Sequence, residues 1–137
     1  MSKQTVFLSR LLGLYLLIMA CAMLARPQST LDTVGSLLYD TPLLYILGVV
    51  LVFAGLAVVL VHNLWRGGAA AVIVTVIGWL TLLKGIFFLA LSPIAVRDFY
   101  LLQLRFAHLY YFYAVVTLAL GAYLTYQGFK PRADRAR

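Results

Sequence analysis

The stretch LLYILGVVLVFAGLAVVLVHNL, Leu43 to Leu64, contains no Lys, Arg, Asp or Glu. At 1.5 Å of helical rise per residue it spans the roughly 30 Å of a bilayer's hydrocarbon core. Three further apolar stretches, Ser9–Ala25, Ala69–Leu91 and Ala107–Thr125, carry between them only Arg10 and Lys84 as formal charges. In lipid a backbone must satisfy its own polar groups, so stretches of this length are read as helices. The four occupy most of the 137 residues, which predicts one integral domain over 1–137: an all-α membrane protein, a bundle of four transmembrane helices.

Composition agrees. Hydrophobic residues make up 64% of the chain and charged residues 11%, against roughly 25% charged in a soluble domain; mean hydropathy is +0.99. The net charge of +7 does not indicate nucleic acid, because the basic residues flank apolar spans instead of forming a basic helix or an aromatic RNA-binding signature. Lys3, Arg66, Lys130, Arg132, Arg135 and Arg137 fall at one end of the spans, whereas Arg26, Arg97 and Arg105 fall at the other with Asp32, Asp40 and Asp98. This lysine and arginine bias predicts a multi-pass protein of a cell (inner) membrane with both termini cytoplasmic. Lys3 and Arg10 before an apolar run imitate a secretory signal, and Ile18-Met19-Ala20-Cys21 is spaced like a lipoprotein box. Met19 is poor for such a box and the run continues to Ala25, so the expectation is an uncleaved first span. The single cysteine, Cys21, excludes an intramolecular disulfide, a Cys-x-x-Cys redox pair and a thiolate metal cage.

Proline and glycine punctuate the spans: Arg26-Pro27 after the first, Gly67-Gly68 between the second and third, Lys130-Pro131 after the fourth. Asp40 or Thr41 can cap a helix beginning at Pro42, and Ser92 one beginning at Pro93. From Pro93 to Arg105, apolar Ile94, Val96, Phe99 and Leu102 alternate with Arg97, Asp98 and Arg105, which predicts an interfacial helix with Phe106 continuing its apolar side. Residues also recur at a spacing of about 65: Gly13 and Gly78, Leu24-Ala25 and Leu89-Ala90, Pro27 and Pro93, Tyr45 and Tyr111, Gly55 and Gly121. The expectation is a tandem repeat of two hairpins of equal orientation, residues 9–66 matching 75–132.

Helices in lipid meet through small and polar residues. The stripes Gly48–Gly55–His62, Gly78–Thr81–Lys84–Gly85 and Ala114–Thr117–Gly121 are therefore expected to face the bundle interior. Lys84 is the sharpest feature, since a lysine near the middle of a span costs at least about 2.5 kcal/mol. Side chains lean toward the N-terminus of their helix, so Lys84 is expected to lean toward the bilayer middle. Tyr110, Tyr111 and Tyr113 on the fourth span and Tyr45 on the second lie at a similar depth. Lys84 with these tyrosines and Thr81 forms a candidate ligand site in which an ammonium and phenols hold a carbonyl, carboxylate or phosphate group. Its plain alternative is a packed or snorkelling lysine beside an aromatic belt. A second cluster, His62, Asn63, Trp65 and Arg66, lies at the inner rim, where an imidazole relays protons or simply bonds at the boundary. His108 stands at the other rim, too distant to share a metal with His62, and no cofactor is expected.

The chain has no glutamate and no aspartate inside a span, which weighs against a carboxylate-driven exporter. Paired carboxylates, a Ser-His-Asp order, zinc spacing and a phosphate loop are all lacking, so catalysis is the least favoured reading. His62-Asn63-Leu64-Trp65 with Gly78-Trp79 and Lys84-Gly85 resembles small uncharacterised bacterial inner-membrane proteins of four spans, which implies a bacterial plasma membrane and no particular activity. Size and span count are also similar to the DoxX-like family, from which no residue is carried over. The functional expectation is a non-enzymatic protein that binds a lipid-like or quinone-like amphipathic molecule, or a membrane partner, through a polar pocket near the outer leaflet. The alternatives are an accessory subunit of a larger complex and a small transporter or channel.

Overall fold

The computed structural model describes residues 2–130, apart from the side chain at 107; Arg132, Arg135 and Arg137 lie outside the described residues. Among the described residues the chain is an all-α bundle of six helices: α1 (Lys3–Ala25), α2 (Pro27–Leu37), α3 (Thr41–Val61), α4 (Ala69–Ala90), α5 (Pro93–Leu104) and α6 (Ala107–Phe129). Four of them, α1, α3, α4 and α6, are long and apolar enough to cross a membrane. The short helices α2 and α5 form one end, the cap end. The start of α1, the end of α6 and the α3–α4 turn form the other, the turn end.

Local chemistry sets the boundaries. Ser2, Asp40 and Ser92 cap α1, α3 and α5 by accepting from Thr5, Leu43 and Ala95 backbone N–H groups, satisfying donors that a first turn leaves orphaned. Helix α3 stops at Val61, short of the expected Leu64, because the chain turns there to enter α4. Gly67 and Gly68 complete that turn at φ 116° and 109°, a region costly for any residue with a Cβ. Helix α2 has no counterpart among the expected elements. Its polar sequence hid it, but Pro27 fits a first turn, and Thr30, Thr33 and Ser36 return their hydroxyls to the carbonyls of Arg26, Ser29 and Thr33.

The long helices associate as two tight pairs, α3 with α4 and α1 with α6, joined mainly through α1 and α4. Glycine permits both pairings. A Cβ on Gly55 would lie 2.5 Å from the Leu82 backbone nitrogen, and one on Gly85 2.5 Å from that of Val52. Gly13 and Gly121 do the same for α1 against α6, facing Thr125 and Leu17 at 2.5 and 2.8 Å. Leu8, Ala70, Val74 and Leu124 fill the turn end, and Leu38, Leu44, Phe88 and Val96 the cap end.

The order long, short, long occurs twice. Lys3 and Ala69, Pro27 and Pro93, and Thr41 and Ala107 begin corresponding helices 66 residues apart. Contacts follow the same spacing: Gly13 meets Leu124 and Thr125, while Gly78 meets Val58 and Val59.

Candidate functional site

Lys84 does not share the buried face of α4. Ala71, Thr75, Gly78, Leu82 and Gly85 are buried, whereas Lys84 is exposed on the flank of the bundle. The reason is geometric: at 3.6 residues per turn it stands about 100° from Gly85 and about 120° from Gly78. The expected interior stripe thus holds for its glycines and fails for its lysine. Thr81, half-buried between these faces, gives its hydroxyl to the Ile77 carbonyl of its own helix at 2.8 Å.

The ammonium also has a different neighbour from those expected. Its Nζ sits 5.4 Å from the ring centre of Tyr100 on α5, and among the described residues it has no hydrogen bond or carboxylate partner. Tyr100 in turn packs on Phe88, one turn beyond Lys84, with ring centres 5.5 Å apart. Lys84 therefore reaches toward the C-terminal end of its helix, against the usual lean of a helical side chain. Such a reach toward the interface is snorkelling.

Of the expected tyrosines, Tyr110 donates its hydroxyl to the Met23 carbonyl at 2.8 Å, tying α6 to α1. Tyr111 stacks edge-on against Tyr110 at 5.5 Å, and Tyr45 is exposed on α3. Tyr113 is exposed on α6 and neighbours Tyr100 on α5. Burial pushes the Tyr100 phenol up to about 12, and the neighbouring Tyr113 adds to this by charge repulsion.

Helix α5 supplies what sequence reasoning missed. Its inward side is Val96, Tyr100, Leu101 and Leu104, while Ile94, Phe99, Leu102 and Phe106 are exposed. Phe87, Phe88, Phe99 and Tyr100 form a run of aromatic contacts from 5.3 to 6.5 Å. The available signal was Ser92-Pro93, a hinge that folds α5 back over the last turn of α4 and brings Tyr100 onto Phe88. At the same end Arg97 lies 5.4 Å over the Tyr39 ring and pairs with Asp98 at 3.1 Å. Two aspartates of the cap end have other partners: Asp40 caps α3, and Asp98 holds Arg97.

The His62, Asn63, Trp65 and Arg66 cluster, at the turn end, belongs to a hairpin clasp. Thr75 Oγ1 accepts from the Leu64 N–H at 3.1 Å, and the carbonyls of Leu64, Ala71 and His62 surround it at 3.1, 3.0 and 3.4 Å. A hydroxyl has one proton, so it serves one carbonyl at a time. Trp79 Nε1 donates to Asn63 Oδ1 at 3.4 Å. Trp65 and Arg66 are exposed. His62 is 1% exposed, and neither ring nitrogen has a partner among the described residues. No group of three or more metal-binding side chains occurs among the described residues.

Compared with known protein families, with curated proteins and with solved structures, the chain matches none.

Proposed function

We propose that the chain is a non-enzymatic multi-pass membrane protein that holds an acidic or carbonyl group of an amphipathic molecule on the shelf formed by Lys84, Tyr100 and Tyr113, at a cap end that faces the outer leaflet. One observation carries this: an ammonium within a membrane-length helix meets an aromatic ring and no anion among the described residues. A cation–π contact contributes about 0.5–2 kcal/mol and leaves the ammonium without a counter-charge. An anion supplied by a ligand provides one, and the tyrosine hydroxyls add donors beside it. The site is a shelf on the flank, open to lipid, in place of the polar pocket expected from the sequence.

The outward placement of Lys84 also favours a second reading, in which the anion is a carboxylate on a partner membrane helix and the chain is an accessory subunit. Transport ranks below both, because glycine contacts close each helix pair against a path running within it.

The test compares Lys84→Met and Lys84→Arg with the parent chain, each purified from membranes and extracted for co-isolated acidic amphiphiles. On the ligand reading, Lys84→Met assembles with an unchanged melting temperature and loses the molecule, whereas Lys84→Arg keeps charge and retains part of it. Equal recovery from all three proteins refutes that reading. Loss of a co-purifying subunit from Lys84→Met supports the accessory role.

A further inference from the structure

The two halves of the bundle match in helix order and spacing but differ on one flank. Helices α1 and α3 leave an open groove of about 600 Å³, walled by Phe7, Leu11, Ala54, Ala57 and Val58, with Lys3 at its turn-end rim. At the positions 66 residues beyond Ala54 and Ala57, α6 carries Leu120 and Tyr123. Tyr123 packs against the turn-end core, and its hydroxyl accepts from the Gln127 amide at 3.3 Å. Two alanines thus stand in the groove where the corresponding positions of α6 hold a leucine and a tyrosine.

We propose that this groove seats one acyl chain of an anionic phospholipid, with Lys3 on the phosphate. The walls are aliphatic and aromatic along the parts of α1 and α3 that lie within candidate spans, so the occupant inside the bilayer is hydrocarbon. Two turns of a transmembrane helix fill a cylinder of about 900 Å³, more than the groove holds, whereas an acyl chain is a single file of methylenes. Charge selects the headgroup. Lys3 stands at the mouth, Arg66 and Lys130 share its end of the bundle, and the three described acids, Asp32, Asp40 and Asp98, all lie at the cap end. Basic side chains beside an apolar surface favour acidic lipids.

The experiment is native mass spectrometry of the full chain released from mixed phosphatidylglycerol and phosphatidylcholine micelles. The expected result is one retained phosphatidylglycerol, lost in Ala57→Tyr, which copies the opposite flank. In Lys3→Gln the preference for phosphatidylglycerol should fall about fivefold, the worth of one basic residue at an acidic surface. Equal retention of both lipids by the parent chain overturns the proposal, as does an undiminished adduct in Ala57→Tyr. A dimer without lipid that Ala57→Tyr dissolves assigns the groove to a second copy and overturns it too. Should Ala57→Tyr fail to assemble, photoactivatable phosphatidylglycerol on the parent chain decides the matter. Labelling confined to residues 3–12 and 54–61 supports the groove, and labelling spread over all four spans refutes it.

Discussion

Thr75 shows how one side chain governs the path of the chain. Its hydroxyl accepts the Leu64 N–H where α3 has ended and the turn into α4 has begun. Thr75→Val keeps the shape and removes the hydrogen-bonding group, so it should destabilise the bundle by about 1–3 kcal/mol, read as a lower melting temperature in detergent. Tyr100 gives a pH-dependent counterpart. Its phenol is raised from the ordinary 10 to about 12, so the folded chain keeps a proton that the unfolded chain releases. Its contribution is complete below pH 10 and is lost as pH rises toward 12. Absorbance titration of the tyrosinates should therefore show one late component that Tyr100→Phe removes, and Tyr100→Phe should lose less stability between pH 10 and 12 than the parent. Neither residue's role was legible beforehand, because each depends on a chain reversal that brings distant residues together. Lys84 was legible as an anomaly from its position in an apolar run. Its direction was misread because it was grouped with Gly85, its neighbour in sequence but about 100° away on the helix.

At the scale of elements, apolar length and punctuation identified the four long helices and α5. Helix α2, Pro27–Leu37, is not among them: it is too polar and too short to produce a hydropathy signal, and its hydroxyl–carbonyl bonds are visible only once it is helical. The glycines allow a direct comparison between elements. Gly55→Ala brings a Cβ against the backbone of Leu82, which cannot yield as a side-chain tip would, and should cost about 1–3 kcal/mol through overpacking. Gly35→Ala on α2 meets nothing within 4 Å and should gain roughly 0.5–1 kcal/mol from helix propensity. Paired thermal melts in one detergent check both signs, and equal effects would refute the close-packing account of the α3–α4 seam.

For the whole molecule, span count and fold class could be read from the sequence, while the choice of helix pairs could not. Small residues mark the contact faces but not their partners, and Gly13 resembles Gly78 whichever helix each one meets. Orientation rests on charge alone. With both termini on the cytoplasmic side, a phosphatase reporter at the C-terminus should be inactive and one inserted between α2 and α3 active; the reverse pattern would invert the bundle and move the Lys84 shelf to the inner leaflet.

The pairing of α1 with α6 bears on how the protein is made. The bond from Arg10 Nε to the Gly128 carbonyl, 2.7 Å long, joins residues 118 positions apart. At 5–20 residues per second, the ribosome takes on the order of ten seconds to supply the second after the first. Before that interval ends, α3 and α4 are complete and can close on each other, while α1 waits in the membrane with its glycine face uncovered. During biogenesis the first helix is thus the last to find its partner, and for that period it depends on the insertion machinery or on surrounding lipid to shield the glycine face that α6 will cover.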